Sequence, residues 1–254
     1  MPIYSITSLN SSSLIALSQL DSATIVNIQQ SKTVSHFYAM PNPIMNMFSY
    51  PIANLLITDS TDGILNTWDT SVLSKVPVES YFIYSDSKLI SSDYNSDSSF
   101  YYALDGKGNA YIKSVKKYSD EVFEGNLIKE DKNRPLMIKG DRTNLNQYVV
   151  GYEHGIKFFD LRTFKCVKEL KRGKNVMNIL NDSKEVLIIE NNNIELCDIE
   201  TTEKEPEGGL LQTWTQFNNI THSNFGVFYQ NNIKKSMIIL GMNNGDVYYS
   251  SLSN

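Results

Sequence analysis

The chain's histidines and cysteines are its first candidates for catalysis or metal binding. His36, His154 and His222 stand in unrelated contexts, and none shows His-x-His or Glu-x-x-His spacing. Cys166 and Cys197 do not form a Cys-x-x-Cys motif. Metal sites in proteins place such ligands at short, regular spacings on one element. We therefore predict no metal site and expect both cysteines to be free thiols.

Two further patterns could do chemistry. The stretch "LDGKGNAY" (104–111) contains Gly-x-Gly, but a phosphate loop leads into a helix N-terminus, whereas a strand follows here. The carboxylates of Asp59 and Asp62 fall in a predicted hairpin turn with no partner suited to acid–base work. We expect no catalytic residue and no cofactor, and keep a propeller enzyme as a third alternative only.

Charge narrows the class of partner. The chain has 254 residues and a net charge of -5, so no basic field exists to hold a phosphate backbone. Nucleic acid is therefore an unlikely direct partner. The one basic run, "RTFKCVKELKRGK" (162–174), is typical of an exposed edge strand, with an acidic partner or RNA docking there as the alternative.

Three features indicate where in the cell the protein is expected: membrane spans, a secretory signal and disulfides. No apolar stretch approaches about 18 residues, so we expect no membrane span. The start, "MPIYSITSLN", has neither a basic segment nor a long apolar run, which indicates a protein that is not secreted. With two cysteines and no disulfide framework, we expect a cytoplasmic or nuclear protein.

The sequence contains six similar pairs of short apolar blocks, each of which predicts a β-hairpin. Six short apolar blocks run into polar turns, and their starts are 37 to 52 residues apart: "LIALSQ", "LLITDS", "YYALDG", "VVGYEH", "VLIIEN" and "IILGMN". A second block follows each one: "TIVNIQ", "LNTWDT", "AYIKSV", "IKFFDL", "IELCDI" and "VYYSSL". This period is expected of propeller blades, which bury their faces only by stacking on neighbours.

Additional strands fit between the hairpins. The stretches "TVSHFYA" (33–39) and "IMNMFSY" (44–50) lie ahead of the second hairpin, separated by a turn with two prolines. Each unit then has an inner strand, the two blocks and an outer strand. No segment keeps a helical apolar stripe over three turns, and no composition shift marks a boundary. We predict an all-β chain forming a single domain over 1–254.

The stretch "LLITDSTDGILNTWDT" (55–70) resembles the core of a WD40 repeat, with an Asp-Gly turn and a closing Trp-Asp pair. "YVVGYEHGIKFFDLRT" and "VLIIENNNIELCDIET" are similar, with Phe159-Asp160 and Cys197-Asp198 at the pair. The other units place Val26-Asn27, Lys113-Ser114 and Ser250-Ser251 there. The family's Gly-His dipeptide and its His–Ser/Thr–Asp–Trp network are not assembled in any unit. The resemblance implies a single β-propeller of six blades, with seven as the alternative.

The function that this resemblance implies is a non-catalytic protein–protein interaction scaffold, a small subunit of a larger intracellular complex. The alternative is a module that recognises a peptide or a modified tail on the propeller's channel face. The sixth unit provides three strands, so we expect an incomplete last blade, closed either within the chain or by a strand from a partner. The expected partner-binding residues are Val247, Tyr248, Tyr249 and Leu252, with Phe228 and Tyr229 from an aromatic cluster.

Overall fold

A computed structural model describes most of the chain and shows strands joined by turns and loops. The described residues contain no helix, which confirms the all-β prediction. They are 5–9, 14–18, 22–27, 29–38, 42–50, 54–73, 75–83, 87–95, 100–114, 122–126, 133–141, 144, 146–174, 176, 178–182, 185–189, 193–198, 210–214, 220–230, 233–242 and 247–252. The predicted loop at 200–209 lies outside them.

The first twelve strands form three antiparallel sheets, each a meander in chain order. Sheet 1 contains β1 (Ser5–Ser8), β2 (Leu14–Ser18), β3 (Ser22–Asn27) and β4 (Lys32–Tyr38). Sheet 2 contains β5 (Ile44–Tyr50), β6 (Leu55–Ser60), β7 (Ile64–Asp69) and β8 (Glu79–Phe82). Sheet 3 contains β9 (Leu89–Asn95), β10 (Phe100–Asp105), β11 (Asn109–Ser114) and β12 (Val122–Asn126).

The remaining strands form three more meanders. Sheet 4 contains β13 (Pro135–Gly140), β14 (Gln147–Tyr152), β15 (His154–Asp160) and β16 (Cys166–Lys174). Sheet 5 contains β17 (Asn178–Asp182), β18 (Glu185–Ile189), β19 (Ile194–Asp198) and β20 (Leu210–Trp214). Sheet 6 has three described strands, β21 (Ile220–Gln230), β22 (Ile233–Met242) and β23 (Val247–Leu252).

The six predicted hairpins are confirmed as the second and third strands of each sheet. In each third strand, two residues align with the Trp-Asp pair of sheet 2, and the first of them is hereafter called the pair position. In all six sheets the pair position lies directly opposite a residue of the second strand. The register pairs are Ile15↔Val26, Leu56↔Trp68, Tyr101↔Lys113, Tyr148↔Phe159, Val186↔Cys197 and Ile238↔Ser250. The repeat read from the sequence therefore has the correct phase in all six units.

The chain divides into two compact units, residues 1–131 with 138–140 and residues 132–137 with 141–254. In the first unit one apolar cluster joins sheets 1 and 2 around Trp68, and another joins sheets 2 and 3 around Ile57. In the second unit a cluster around Val149 joins sheets 4 and 5. Within each unit, these pairs of neighbouring sheets share a core, because no single meander can bury both of its faces. The single-domain assignment remains a prediction.

In sheets 2, 3 and 4 the hairpin turn is hydrogen-bonded to the residue that precedes the first strand of the same sheet. Thr61 N–H donates to Pro43 C=O at 3.4 Å in sheet 2, and Gly106 N–H donates to Lys88 C=O at 3.0 Å in sheet 3. In sheet 4 the same bond runs from Glu153 to Arg134, at 3.0 Å. This recurring link fixes each first strand beside its own hairpin.

In sheets 1, 2 and 4 the turns between the third and fourth strands share one design. Asn27, Asp69 and Asp160 end their strands, and each side chain accepts backbone N–H bonds from the turn that follows. Four residues further on, the backbone is left-handed at Ser31, Leu73 and Phe164, with φ of 49°, 49° and 56°. The second residue of the Trp-Asp pair is therefore a turn cap, the ordinary role of Asp and Asn at such positions.

Candidate functional site

The polar side chains that converge most closely lie between sheets 2 and 3. Asp59, near the end of β6, is fully buried, and its carboxylate accepts Asn46 N–H at 2.6 Å and Tyr101 Oη–H at 2.8 Å. Asn46 Nδ2 also donates to Ser92 Oγ at 2.9 Å, and the Ser92 hydroxyl bonds to Asp59. The carboxylate thus accepts bonds from β5, β9 and β10. It joins the two sheets at a position where water is excluded.

Burial dominates the ionisation of this carboxyl group. Loss of water raises the pKa of Asp59 to about 6, although the bonds from Ser92, Tyr101 and Asn46 and the charge of Lys139 oppose the rise. Burial, followed by the charge of Asp59, raises the pKa of Tyr101 well above its usual range. The three hydrogen-bond donors around the Asp59 carboxyl group favour its ionised form, whereas the loss of water favours its neutral form.

A second set of polar contacts continues from β9 to β13. Asp93 pairs with Lys139 at 3.5 Å and accepts the Gly140 N–H at 3.0 Å. Ser91 Oγ accepts the Ile138 N–H at 3.1 Å. In the same manner Ser5 Oγ of β1 accepts the Met47 N–H of β5 at 3.3 Å. Polar side chains of one first strand thus bond to the backbone of the next first strand.

In sheets 2 and 3 the pair position contacts the preceding sheet. The Trp68 ring stacks on Phe37 of β4 with centroids 4.9 Å apart, and its Nε1–H donates to Thr58 Oγ1 at 3.0 Å. Lys113 occupies the equivalent place in sheet 3 and is only 4% exposed. Its ammonium lies 4.5 Å from the centroid of the Tyr81 ring of β8. A cation–π contact therefore replaces an aromatic stack in this unit.

The predicted partner-binding residues lie on two edges of sheet 6. Val247, Tyr248, Tyr249 and Leu252 belong to β23, whose described neighbour is β22. Phe228 and Tyr229 belong to β21, which pairs with the other side of β22. The two groups are therefore separated by β22 and do not form one edge.

The other candidates are dispersed. His36 bonds to Thr24 Oγ1 at 2.7 Å in sheet 1, His154 is exposed in sheet 4, and His222 belongs to sheet 6. Cys197 is buried and Cys166 is exposed, and neither forms a disulfide. In the part of the chain that is described, no three His, Cys, Asp or Glu residues form a group that could hold a metal ion.

The Gly-x-Gly stretch is a hairpin turn, as predicted, because β10 ends at Asp105 and β11 begins at Asn109. The buried Asp105 carboxylate holds the turn by accepting the N–H groups of Lys107 and Asn109 at 2.9 and 2.8 Å. Gly108 has a φ of 83°, which explains the glycine at that place.

The prediction that Asp59 lies in a turn is wrong, because Asp59 is a buried residue of β6. Alignment of the six hairpins could have revealed it. The equivalent residues in sheets 1, 3, 4 and 5 are Ser18, Leu104, Gly151 and Ile189. A carboxylate at this position is therefore unusual. Lys113 carries a similar signal, since it stands where the other units have Trp, Phe, Val, Cys or Ser.

Comparison with known proteins gives no assignment: no protein-family model and no curated protein sequence matches this chain. Among the described residues, no helix is long and apolar enough to cross a bilayer. The class that these observations define is an all-β protein built of repeated antiparallel meanders. Any finer assignment depends on the geometry above.

Proposed function

We propose that the six sheets are the blades of a WD40-like β-propeller, and that this propeller is a non-catalytic protein–protein interaction scaffold. In this proposal it is a small subunit of a larger assembly in the cytoplasm or nucleus. The constant phase of the pair positions, the shared turn design and the bonds between successive first strands support the propeller. All three features are expected when identical units stack around one axis.

One observation carries the proposed role. In sheets 1 to 5 a fourth strand covers the third, whereas in sheet 6 the third strand, β23, has β22 as its described neighbour. An edge strand presents a row of N–H and C=O groups to which another chain can add a strand. We propose that a partner protein supplies the fourth strand of the sixth blade, so that its main chain becomes part of the scaffold.

Recognition of a peptide on the channel face receives less support. The polar groups of the first strands bond to one another: Asp93 is engaged by Lys139 and Gly140, and Asn46 by Asp59 and Ser92. The side chains of Asp93 and Asn46 thus already have partners within the protein, Lys139 and Gly140 for Asp93 and Ser92 for Asn46. The edge of β23 is therefore the better candidate for the principal contact with a partner.

Hydrogen exchange tests this proposal on the full chain, first alone and then in the complex purified from native cells. We expect alternate amides of β23 to exchange quickly in the isolated protein and slowly in the complex. The amides of β19, which has strands on both sides, serve as the internal control. Slow exchange throughout β23 in the isolated chain would mean that the strand is already paired, and the proposal would be wrong.

A proline variant adds a functional readout. Along an edge strand, alternate N–H groups point towards the neighbouring strand, and those between them point away from it to the open edge. Proline is placed at whichever of Tyr248 and Tyr249 exchanges quickly, because its missing N–H then affects only the outer edge. We expect this variant to fold but to lose the co-purifying partner. Retention of the partner at the same yield would contradict strand addition at β23.

A further inference from the structure

A different edge of the molecule carries an unusual surface. Strand β16 (Cys166–Lys174) forms the outer edge of sheet 4, pairing with β15 on one side and with no described strand on the other. The side chains at alternate positions, Lys165, Val167, Glu169 and Lys171, are all exposed. These four exposed side chains, hereafter the stripe, follow one edge of the sheet. Lys165 precedes β16, and the register with β15 shifts between Phe158 and Phe159, so the stripe contains a bulge next to Val167.

The stripe is basic in an acidic protein. Residues 162–171 contain four basic side chains and one acidic side chain, a net charge of +3, whereas the whole chain carries -5. Arg162, Lys165 and Lys171 are exposed. Charge of this sign, concentrated on one edge, attracts acidic partners and raises their rate of association.

The one acidic residue of the stripe is already paired. Glu169 lies 3.8 Å from the ammonium of Lys157, which belongs to the neighbouring strand β15. Lys157 is held in place by the ring of Tyr152, with its ammonium 5.6 Å from the ring centroid. Glu169 therefore does not compensate Lys165 and Lys171, and those two lysines remain available to an incoming carboxylate.

Protection against aggregation explains the stripe only in part. Lysines on an edge strand discourage unwanted pairing, but Val167, between the two lysines, is 49% exposed. An apolar side chain at that place adds nothing to protection and offers a contact to an apposed strand. The same edge thus combines charge at two positions with an apolar contact between them.

RNA fits this edge less well than a peptide does. Single-stranded RNA is bound through stacking of bases on exposed aromatic rings. The one aromatic residue of 162–171 is Phe164, whose ring packs edge-on against Tyr148 with centroids 5.9 Å apart. Backbone groups along an open edge are instead suited to hydrogen-bonding another extended chain.

We propose that β16 is a docking edge for an extended acidic peptide segment of a partner protein. The segment adds as a fifth strand along Cys166–Lys174, with carboxylates close to Lys165 and Lys171 and an apolar side chain close to Val167. Cross-strand pairs of these kinds stabilise a sheet. The inference rests on the proposed scaffold function and deepens it by naming the chemistry of one partner, at an edge distinct from β23.

A synthetic peptide tests the recognition directly. The probe is a labelled nine-residue peptide of threonines, with Glu at its second and eighth positions and Val at its sixth. It matches the spacing from Lys171 to Lys165 in an antiparallel pairing. Fluorescence anisotropy with the full chain should show binding that weakens about tenfold in the double variant Lys165→Glu/Lys171→Glu, because two attractions become repulsions. The matched control, Lys32→Glu/Lys75→Glu, changes two exposed lysines, one in β4 and one between β7 and β8, and should bind as the wild type does.

The outcomes separate the alternatives. Slower exchange of β16 amides on adding the peptide, with β4 amides unchanged, would support strand addition. Equal affinity for the wild type and the β16 variant, or equal loss in both variants, would overturn the proposal. Binding of a uridine homopolymer with no binding of the peptide would also overturn it. Because the β23 experiments use a different edge, their failure with success here would reject only the completion of the sixth blade.

Discussion

The environment of Asp59 makes its charge state depend on pH over an accessible range. The folded-state pKa of about 6 lies above the ordinary value of 3.8, so the folded protein holds this proton more tightly than the unfolded chain does. Its contribution to stability is therefore complete below pH 4 and is lost as the pH rises through 6. The difference corresponds to about 3 kcal/mol.

Asp59→Asn isolates this contribution, because an amide mimics the neutral acid in size and cannot ionise. We expect the stability of the variant, measured by urea unfolding, to gain about 3 kcal/mol relative to the wild type between pH 4 and pH 7. Asp69→Asn is the control. Bonds from Ser71 hold the pKa of Asp69 below its usual value, so its stabilising effect is lost only as the pH falls below 4. A difference between Asp59→Asn and wild type that is constant over this range would contradict the assignment.

Lys113 is a buried lysine whose ammonium lies over the Tyr81 ring. The Tyr81 ring is its cationic partner, and no carboxylate of the described residues forms an ion pair with it. Replacing a buried charge by an apolar side chain of similar volume is often neutral or stabilising. We expect Lys113→Met to raise the free energy of unfolding by about 1 kcal/mol, while Lys88→Met, at an exposed lysine, leaves it within about 0.5 kcal/mol. A destabilised Lys113→Met would show that the cation–π contact dominates.

At the scale of elements, the turns after the third strands of sheets 1 and 2 allow the cost of backbone strain to be distinguished from the gain of side-chain packing. Ser31 and Leu73 have the same left-handed φ of 49°, a conformation that side chains disfavour by about 1 kcal/mol. Ser31 is exposed, whereas Leu73 packs against the apolar cluster that contains Trp68 and Phe37. The two turns therefore share a backbone and differ in what the side chain contributes.

Glycine substitution at both positions tests this separation. Ser31→Gly should stabilise the protein by about 0.5 to 1 kcal/mol, because it relieves the strain and removes no buried contact. Leu73→Gly should destabilise it by about 1 to 2 kcal/mol, because the loss of apolar burial exceeds the relief. Urea midpoints of the two variants provide the measurement. Effects of the same sign would mean that the turns are not equivalent.

The elements could be predicted from the sequence because their signals are local. Asp-Gly and Asn-Gly turns, period-2 alternation and the step to the pair position placed all six hairpins, and "IMNMFSY" coincides with β5. The contacts of Asp59 and Lys113 could not be predicted, since Tyr101 and Tyr81 belong to neighbouring sheets. Sequence periodicity defines which face of a strand is apolar, but it does not specify which side chain of another sheet will meet it.

At the scale of the whole molecule, the propeller proposal makes a prediction about size. Six meanders stacked around one axis form a closed body, and a compact chain of this length has a radius of gyration of about 18 Å. The same meanders could stack in a row as an open solenoid. This arrangement would preserve every contact between successive sheets, but the molecule would be longer than a closed propeller. Small-angle X-ray scattering of the monomer distinguishes the two arrangements. Six sheets stacked about 10 Å apart in a row form a body about 60 Å long, with a radius of gyration of about 20 Å. An elongated pair-distance distribution that reaches this length, with a radius of gyration above the compact value, would exclude the propeller. Even then, the hydrogen-bonded links within each meander would stand, because they do not depend on closure.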